Sequence, residues 1–261
     1  MAAMRRGRCR GAWNCSKTGR MARGMEHEHS RRAIAERLAR APGVSYLRDW
    51  VYGGIDGAVT TFAIVAGVVG AELPNRVVLI LGAANLVADG FSMAASNYSG
   101  TRTEHDELAQ LRAVEERHIA LEPEGEREEI RQIFRAKGFA GADLERAVAV
   151  ITGNRERWVD TMLAEEYGLP RAVRNPLKAA LSTFAAFLVC GAIPLLPFLL
   201  ETEARFAAAA GMTALVFFLI GSVKSRWSPA SWWRSGGETL AIGLAAAALA
   251  YLVGFLLRSV V

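Results

Sequence analysis

The constraint that most limits this chain is the placement of its charges. Along its 261 residues, runs of about 20 residues with almost no charged side chain alternate with strongly charged stretches. About 20 apolar residues are what an α-helix needs to cross a bilayer. Five segments qualify: roughly 51–71, 77–99, 177–200 (with Pro194 and Pro197), 206–223 and 239–257. The last three are plain on hydropathy, while the first two carry carboxylates and many glycines, which membrane helices tolerate where backbones pack closely. The totals, 52% hydrophobic and 22% charged, resemble a soluble domain only because they average two unlike parts.

The sequence therefore predicts an all-α, polytopic membrane protein of five transmembrane helices, with a three-helix cytoplasmic insert between spans two and three. Its parts are a basic, disordered tail (1–45), spans one and two (46–100), the insert (101–176) and spans three to five (177–261). Basic residues orient it. With the N-terminus cytoplasmic, 28 of the 31 Lys and Arg lie inside, and only Arg76, Arg205 and Arg258 lie outside. An odd number of spans puts the C-terminus on the far side.

The insert holds 16 of the 26 acids. Its first helix continues from span two, from Ser99 to about Ala120. A turn at Glu122–Gly125 leads to a second at about 126–137, closed by Lys137-Gly138. Asp143 is read as the N-cap of a short helix, and a last helix follows Gly153-Asn154 and runs to Tyr167. Three cysteines, Cys9, Cys15 and Cys190, make no disulfide framework and suit a reducing compartment. No apolar core follows the early arginines, so the first 42 residues do not read as a signal peptide. Met25 would make a tidier start, and His27 and His29 are weak metal candidates. The basic N-terminus suits an anionic membrane surface better than nucleic acid.

Two carboxylates lie inside apolar spans, Asp56 in the first and Asp89 in the second. Each costs at least about 2.5–3.5 kcal/mol on insertion scales, so each needs a compensating reason. Asn85, Asp89, Met93 and Asn97 recur every four residues and share one side of the second helix. Hard oxygens beside one thioether tilt the choice toward a first-row transition metal. The plainer alternative is that the carboxylates only bond nearby backbone, and that Met93 only packs. Gly53 and Gly57 around Asp56 form a GxxxG on which another helix could pack closely.

In the insert, Glu104, Glu107, Leu111, Glu115 and His118 share a face, with Glu115 and His118 at the spacing of helical carboxylate–histidine metal sites. Glu126 and Glu129 are three apart and Met162 and Glu166 four apart, so three helices could each present a ligand pair. Against this stands an ordinary charged surface, since Glu alternates here with Arg112, Arg117, Arg127 and Arg131. No phosphate loop, nucleophile–base pair or zinc motif is present.

Several motifs then converge. They are Tyr52-Gly-Gly-Ile-Asp-Gly57 with Thr60-Thr-Phe62, Ala88-Asp-Gly-Phe-Ser-Met-Ala94 with Ser96-Asn-Tyr98, and Trp158-Val-Asp-Thr-Met162 with Glu166-Tyr-Gly168. Gly191-Ala-Ile-Pro-Leu-Leu-Pro197 and Gly221-Ser-Val-Lys-Ser-Arg226 with Ser235-Gly-Gly-Glu-Thr239 follow. In this order the chain resembles the vacuolar iron transporter family over about residues 45–258.

The resemblance implies a homodimer with a metal path between subunits and export of Fe²⁺ or Mn²⁺ from the cytosol in exchange for protons. It implies no resident cofactor. By position Asp56 and Met93 match path residues of spans one and two, and Glu115, Glu126, Glu129, Met162 and Glu166 match ligands of the cytoplasmic insert. Three positions depart: His118 replaces an expected glutamate, Leu163 a second methionine, and Asn85 a membrane glutamate for which Asp89 would substitute.

The expected path is Asp56, Asn85, Asp89 and Met93, and the expected insert ligands are Glu115, His118, Glu126, Glu129, Met162 and Glu166. Glu104 and Glu107 are candidates for the mouth where the cation arrives. The membrane would be the cell membrane of a bacterium or a vacuolar-type membrane of a eukaryote. A metal-gated channel or sensor is the alternative, and a di-iron oxidase is disfavoured because only one Glu-x-x-His pair is clear.

Overall fold

A computed structural model describes residues 29–39, 43–170, 173–227 and 229–258, and every regular element among them is helical. They are α1 (Arg31–Ala39), α2 (Leu47–Gly70), α3 (Asn75–Leu121), α4 (Pro123–Ala136), α5 (Gly141–Thr152) and α6 (Arg155–Glu165), then α7 (Pro176–Ala192), α8 (Leu196–Leu199), α9 (Arg205–Lys224) and α10 (Trp232–Leu257). Within the tail expected to be disordered, α1 forms with no buried residue, held locally by an Arg32–Glu36 pair one turn apart. Cys9, Cys15, Met25 and His27 lie outside the described residues.

Residues 44–261 form one compact unit. Five helices among the described residues are long and apolar enough to cross a membrane: Leu47–Gly70, the apolar part of Asn75–Leu121, Pro176–Leu199, Arg205–Lys224 and Trp232–Leu257. The third breaks at its prolines, with a 3₁₀ turn at Ile193–Leu195 carrying Pro194 between α7 and α8. Proline lacks the N–H that a continuing helix needs. The fifth begins at Trp232, seven residues before the expected 239. Gly221, Ser235 and Gly236 let α9 and α10 run together there, a Cβ on Gly221 meeting the Ser235 carbonyl at 2.5 Å.

The hub of the bundle is α2, which packs against α7, α10, α3 and α9. The GxxxG around Asp56 makes a close crossing against α7. A Cβ on Gly53 would lie 2.2 Å from the Thr183 carbonyl oxygen, and one on Gly57 2.4 Å from that of Phe187. By contrast α3 and α10 leave large apolar side chains outward, including Ile80, Leu81, Val87 and Phe91 on α3 and Leu249, Leu252 and Phe255 on α10. In water such a surface would be unstable; in lipid, or against another copy, it is an ordinary one.

The bundle has two ends. One carries the start of α2, the polar half of α3, the start of α7 and Lys224. The other carries the α2–α3 turn, where Glu72 pairs with Arg258 after α10. Beyond the first end α3 runs on without a break as a 47-residue helix, and α4–α6 fold back on it. Their apolar core comprises Ile119, Ile130, Leu144, Val148, Trp158, Val159, Met162 and Leu163.

Two local expectations in this region change. Helix α4 starts at Pro123 rather than 126, because proline is suited to the first helical position. Asp143 is not an N-cap: α5 begins at Gly141 after Ala140, and Asp143 sits in its first turn, where the helix dipole favours an acid. Gly138 (φ 93°) ends α4, its N–H bonding to the Arg135 carbonyl while the Phe139 N–H reaches that of Phe134. Asn154 caps α6 by accepting from the Arg157 N–H at 2.9 Å.

Candidate metal path and carboxylate cluster

Helices α2 and α3 are joined by a short turn and run antiparallel, so residues rising on one meet residues descending on the other. Asn85, Asp89, Met93 and Asn97 are all half-buried, and Gly82, Gly90 and Ala94 of the same helix are buried. The four-residue stripe is thus a real seam, neither lipid-facing nor sealed in the core. Three rungs cross it. At the far end Asn85 Nδ2 donates to Thr60 Oγ1 at 3.1 Å, and Thr60 Oγ1 donates to the Asp56 carbonyl at 2.9 Å. In the middle, the half-buried Asp56 and Asp89 lie close enough to feel each other's charge. At the near end Asn97 Nδ2 donates to Asp49 Oδ1 at 3.0 Å and to Thr183 Oγ1 at 2.7 Å. That last rung was missed from the sequence, where Asp49 was given no role. Its signal was spacing: Asp49 and Asp56 are seven apart, about two turns, on one face of α2.

The insert divides its acids into two populations. Glu124, Glu128, Glu145 and Glu165 pair with Arg127, Arg131 and Lys137, and for these the charged-surface alternative is right. The Arg131 guanidinium bonds Glu128 and Glu145 and holds both carboxyls below the usual range. Arg112 and Asp160 likewise tie α3 to α6. None of Glu115, Glu126, Glu129 and Glu166 has a Lys or Arg ion pair among the described residues. These four come from α3, α4 and the C-cap of α6, which the Ile119–Ile130–Trp158 core packs together.

Glu115 is 1% exposed and Glu126 5% exposed, both low for carboxylates without a cationic partner other than His118. His118 Nδ1 stands 3.4 Å from Glu126 Oε1. Tyr167, a second residue the sequence reading passed over, donates its hydroxyl to Glu115 Oε1 at 2.9 Å. The other oxygens, Glu115 Oε2 and Glu126 Oε2, have no hydrogen-bond partner. Burial, then the charges of Glu129, Glu115 and Glu166, push the Glu126 carboxyl up to about 7. Burial and the charges of Glu115 and Glu129 raise Glu166 as well, and burial with the bond to Glu115 raises the Tyr167 phenol.

Glu129 and Glu166 stand at the more open margin of this cluster, Glu166 with its carboxyl partly shielded, and Met162 is fully buried in the apolar core. Among the described residues, no three His, Cys, Asp or Glu groups are gathered tightly enough to hold a metal ion as they stand. Glu104 and Glu107 lie apart from the cluster and are exposed, with Glu104 Oε1 3.5 Å from Arg174 Nη2.

This arrangement is found in a chain whose residues 47–255 match the sequence pattern of the VIT family. The chain belongs to that family. It is 33% identical over 228 residues to the vacuolar iron transporter of Toxoplasma gondii, covering 83% of this chain and 76% of that protein. It is 31% identical over 208 residues to vacuolar iron transporter 1 of Arabidopsis thaliana, covering 78% and 83%. With the vacuolar iron transporter of Plasmodium falciparum the identity is 28% over 227 residues, covering 82% of each. As a VIT family member the chain falls among proteins named as transporters, not enzymes.

Proposed function

We propose that this VIT family protein carries divalent transition metal, Fe²⁺ or Mn²⁺, out of the cytosol in exchange for protons. The observation that carries the reading is that two half-buried carboxylates, Asp56 on α2 and Asp89 on the adjoining α3, lie within an apolar bundle. Two carboxylates within range of each other's charge in a poorly solvated seam repel, and a divalent cation between them removes both the repulsion and the desolvation penalty. Protons can do the same one carboxylate at a time. Metal and proton therefore compete for the same groups, which is the physical basis of exchange.

The insert supplies the earlier step. Glu115, Glu126, Glu129 and Glu166, with His118, collect the cation from the cytosol, and the partnerless oxygens of Glu115 and Glu126 gain one when it arrives. A small closure of α4 and α6 on α3 is required, since the groups stand apart without the ion. The insert and N-terminus are cytoplasmic, the C-terminus lies on the far side, and two copies pair through the half-buried α3 seam so that Met93 and Asp89 face a shared path. The membrane is vacuolar in character if the organism is eukaryotic, as the relatives' names suggest for those proteins.

Metal uptake into sealed vesicles holding purified protein tests the reading. With an imposed proton gradient, Mn²⁺ or Fe²⁺ should accumulate against its own gradient, and Asp56→Ala should abolish this. Accumulation by Asp56→Ala equal to that of the unaltered protein removes Asp56 from the path. Downhill flux alone, indifferent to the proton gradient, makes the protein a channel.

A further inference from the structure

The near rung of the α2–α3 seam holds a carboxylate that neither the path residues nor the insert cluster accounts for. Asp49 is 2% exposed, in the first turn of α2. Its Oδ1 is crowded, with Arg174 Nη1 at 2.6 Å and Asn97 Nδ2 at 3.0 Å, while its Oδ2 has no partner. A buried ion pair built for stability normally satisfies both oxygens, for which the forked guanidinium is well shaped. Here the fork is divided instead. Arg174 Nη1 faces Asp49, and Nη2 faces Glu104 Oε1 of α3 at 3.5 Å.

We propose that Asp49 and Asn97 form a further cation-holding station between insert and seam, closed in this conformation by the Arg174 guanidinium, which an arriving divalent cation displaces. The inference rests on the transport reading above. Three features support it. Asp49 continues the line of Asp56 and Asp89 by one rung toward the insert, so a cation leaving the insert meets it first. The donors are hard oxygens suited to a small divalent cation: the Asp49 carboxylate, the Thr183 hydroxyl and the Asn97 side-chain oxygen once its amide rotates. Finally, Arg174 lies in the non-helical link before α7 and has a second, more exposed carboxylate, Glu104, to receive it on release. Without metal the guanidinium keeps Asp49 neutralised and the seam shut.

Initial rates of Mn²⁺ uptake by the full-length protein in proteoliposomes test this with Asp49→Asn, Arg174→Gln and the double variant. The station predicts that Asp49→Asn raises KM for Mn²⁺ about tenfold, that Arg174→Gln lowers KM about threefold or more, and that the double variant follows Asp49→Asn. A purely structural pair predicts otherwise. Arg174→Gln would leave KM unchanged or raised and lower the melting temperature, and removing both charges together would restore unaltered behaviour. Either result overturns the station. Should Asp49→Asn fail to fold, the direction of the KM change in Arg174→Gln decides alone. If the unaltered protein takes up no Mn²⁺, the transport reading has failed instead.

Discussion

Single residues here are informative through what they lack. Glu126 is buried among three other carboxylates, with its nearest cationic option a half-exposed histidine, and its carboxyl is raised to about 7. A proton therefore competes near neutral pH for the place a metal would take. Metal binding to the full-length protein should weaken as pH falls, by about tenfold per unit once below about 7 if one proton is displaced. Calorimetry with Mn²⁺ at pH 6 and pH 8 measures this, and Glu126→Gln should lower affinity at pH 8 while flattening the dependence. A pH slope unchanged in Glu126→Gln would assign the proton elsewhere. The stability sign follows from the same group. Because its folded value lies above the ordinary 4.5, its contribution is full below about 4.5 and lost as pH rises through about 7. The metal-free protein should thus melt at lower temperature at pH 8 than at pH 6, and added Mn²⁺ should raise the melting temperature more at pH 8.

At the scale of elements, the crossing of α2 and α7 fixes the seam. Gly57 leaves its Cβ position 2.4 Å from the Phe187 carbonyl oxygen, and backbone on both sides cannot yield as a side-chain tip would. Gly57→Ala should therefore push the helices apart and cost about 1–3 kcal/mol, seen as a lower melting temperature in detergent with Mn²⁺ uptake reduced in parallel. Melting unchanged in Gly57→Ala would mean that the crossing is looser than this contact requires.

The same element shows what a sequence can yield. Hydropathy alone marks the five apolar helices, because a bilayer-length run has few other uses, and GxxxG marks the close crossing. The start of α10 escapes because Arg234, Gly236, Gly237 and Glu238 read as loop, whereas small residues packing on α9 make them helix. The stripe on α3 is legible from its period of four, but Asp49 and Arg174 are not. They lie 125 residues apart and meet only because α2 and α7 pack side by side. The division of the insert's acids is partly local. Glu128 finds Arg131 three residues on within α4, whereas Glu126 has Glu129 and Ile130 at those spacings, and the packing of α4 on α3 then buries it.

At the scale of the whole molecule, charge asymmetry and the two ends of the bundle make one claim together. The end bearing Asp49, Arg174 and Lys224 continues into the charged insert, while the opposite end offers the Glu72–Arg258 pair and the short link at residues 200–204. Within residues 44–258 the basic residues concentrate at the insert end, and only Arg76, Arg205 and Arg258 lie toward the other, so the anionic cytoplasmic leaflet and the insertion machinery should hold the insert side in. Cysteine labelling can read this, because Cys190 is buried and Cys9 and Cys15 can be replaced by serine. In that background Glu203→Cys, on the far link, should react with an impermeant maleimide from the side opposite the cytosol without permeabilisation. Gln132→Cys, exposed on α4, should react only once the cytoplasmic side is opened. The reverse pattern would turn the protein over and make the insert a receiver of metal on the far side. The direction of transport would reverse with it, since the insert cluster would then load from outside and Asp49 would be the first station inward.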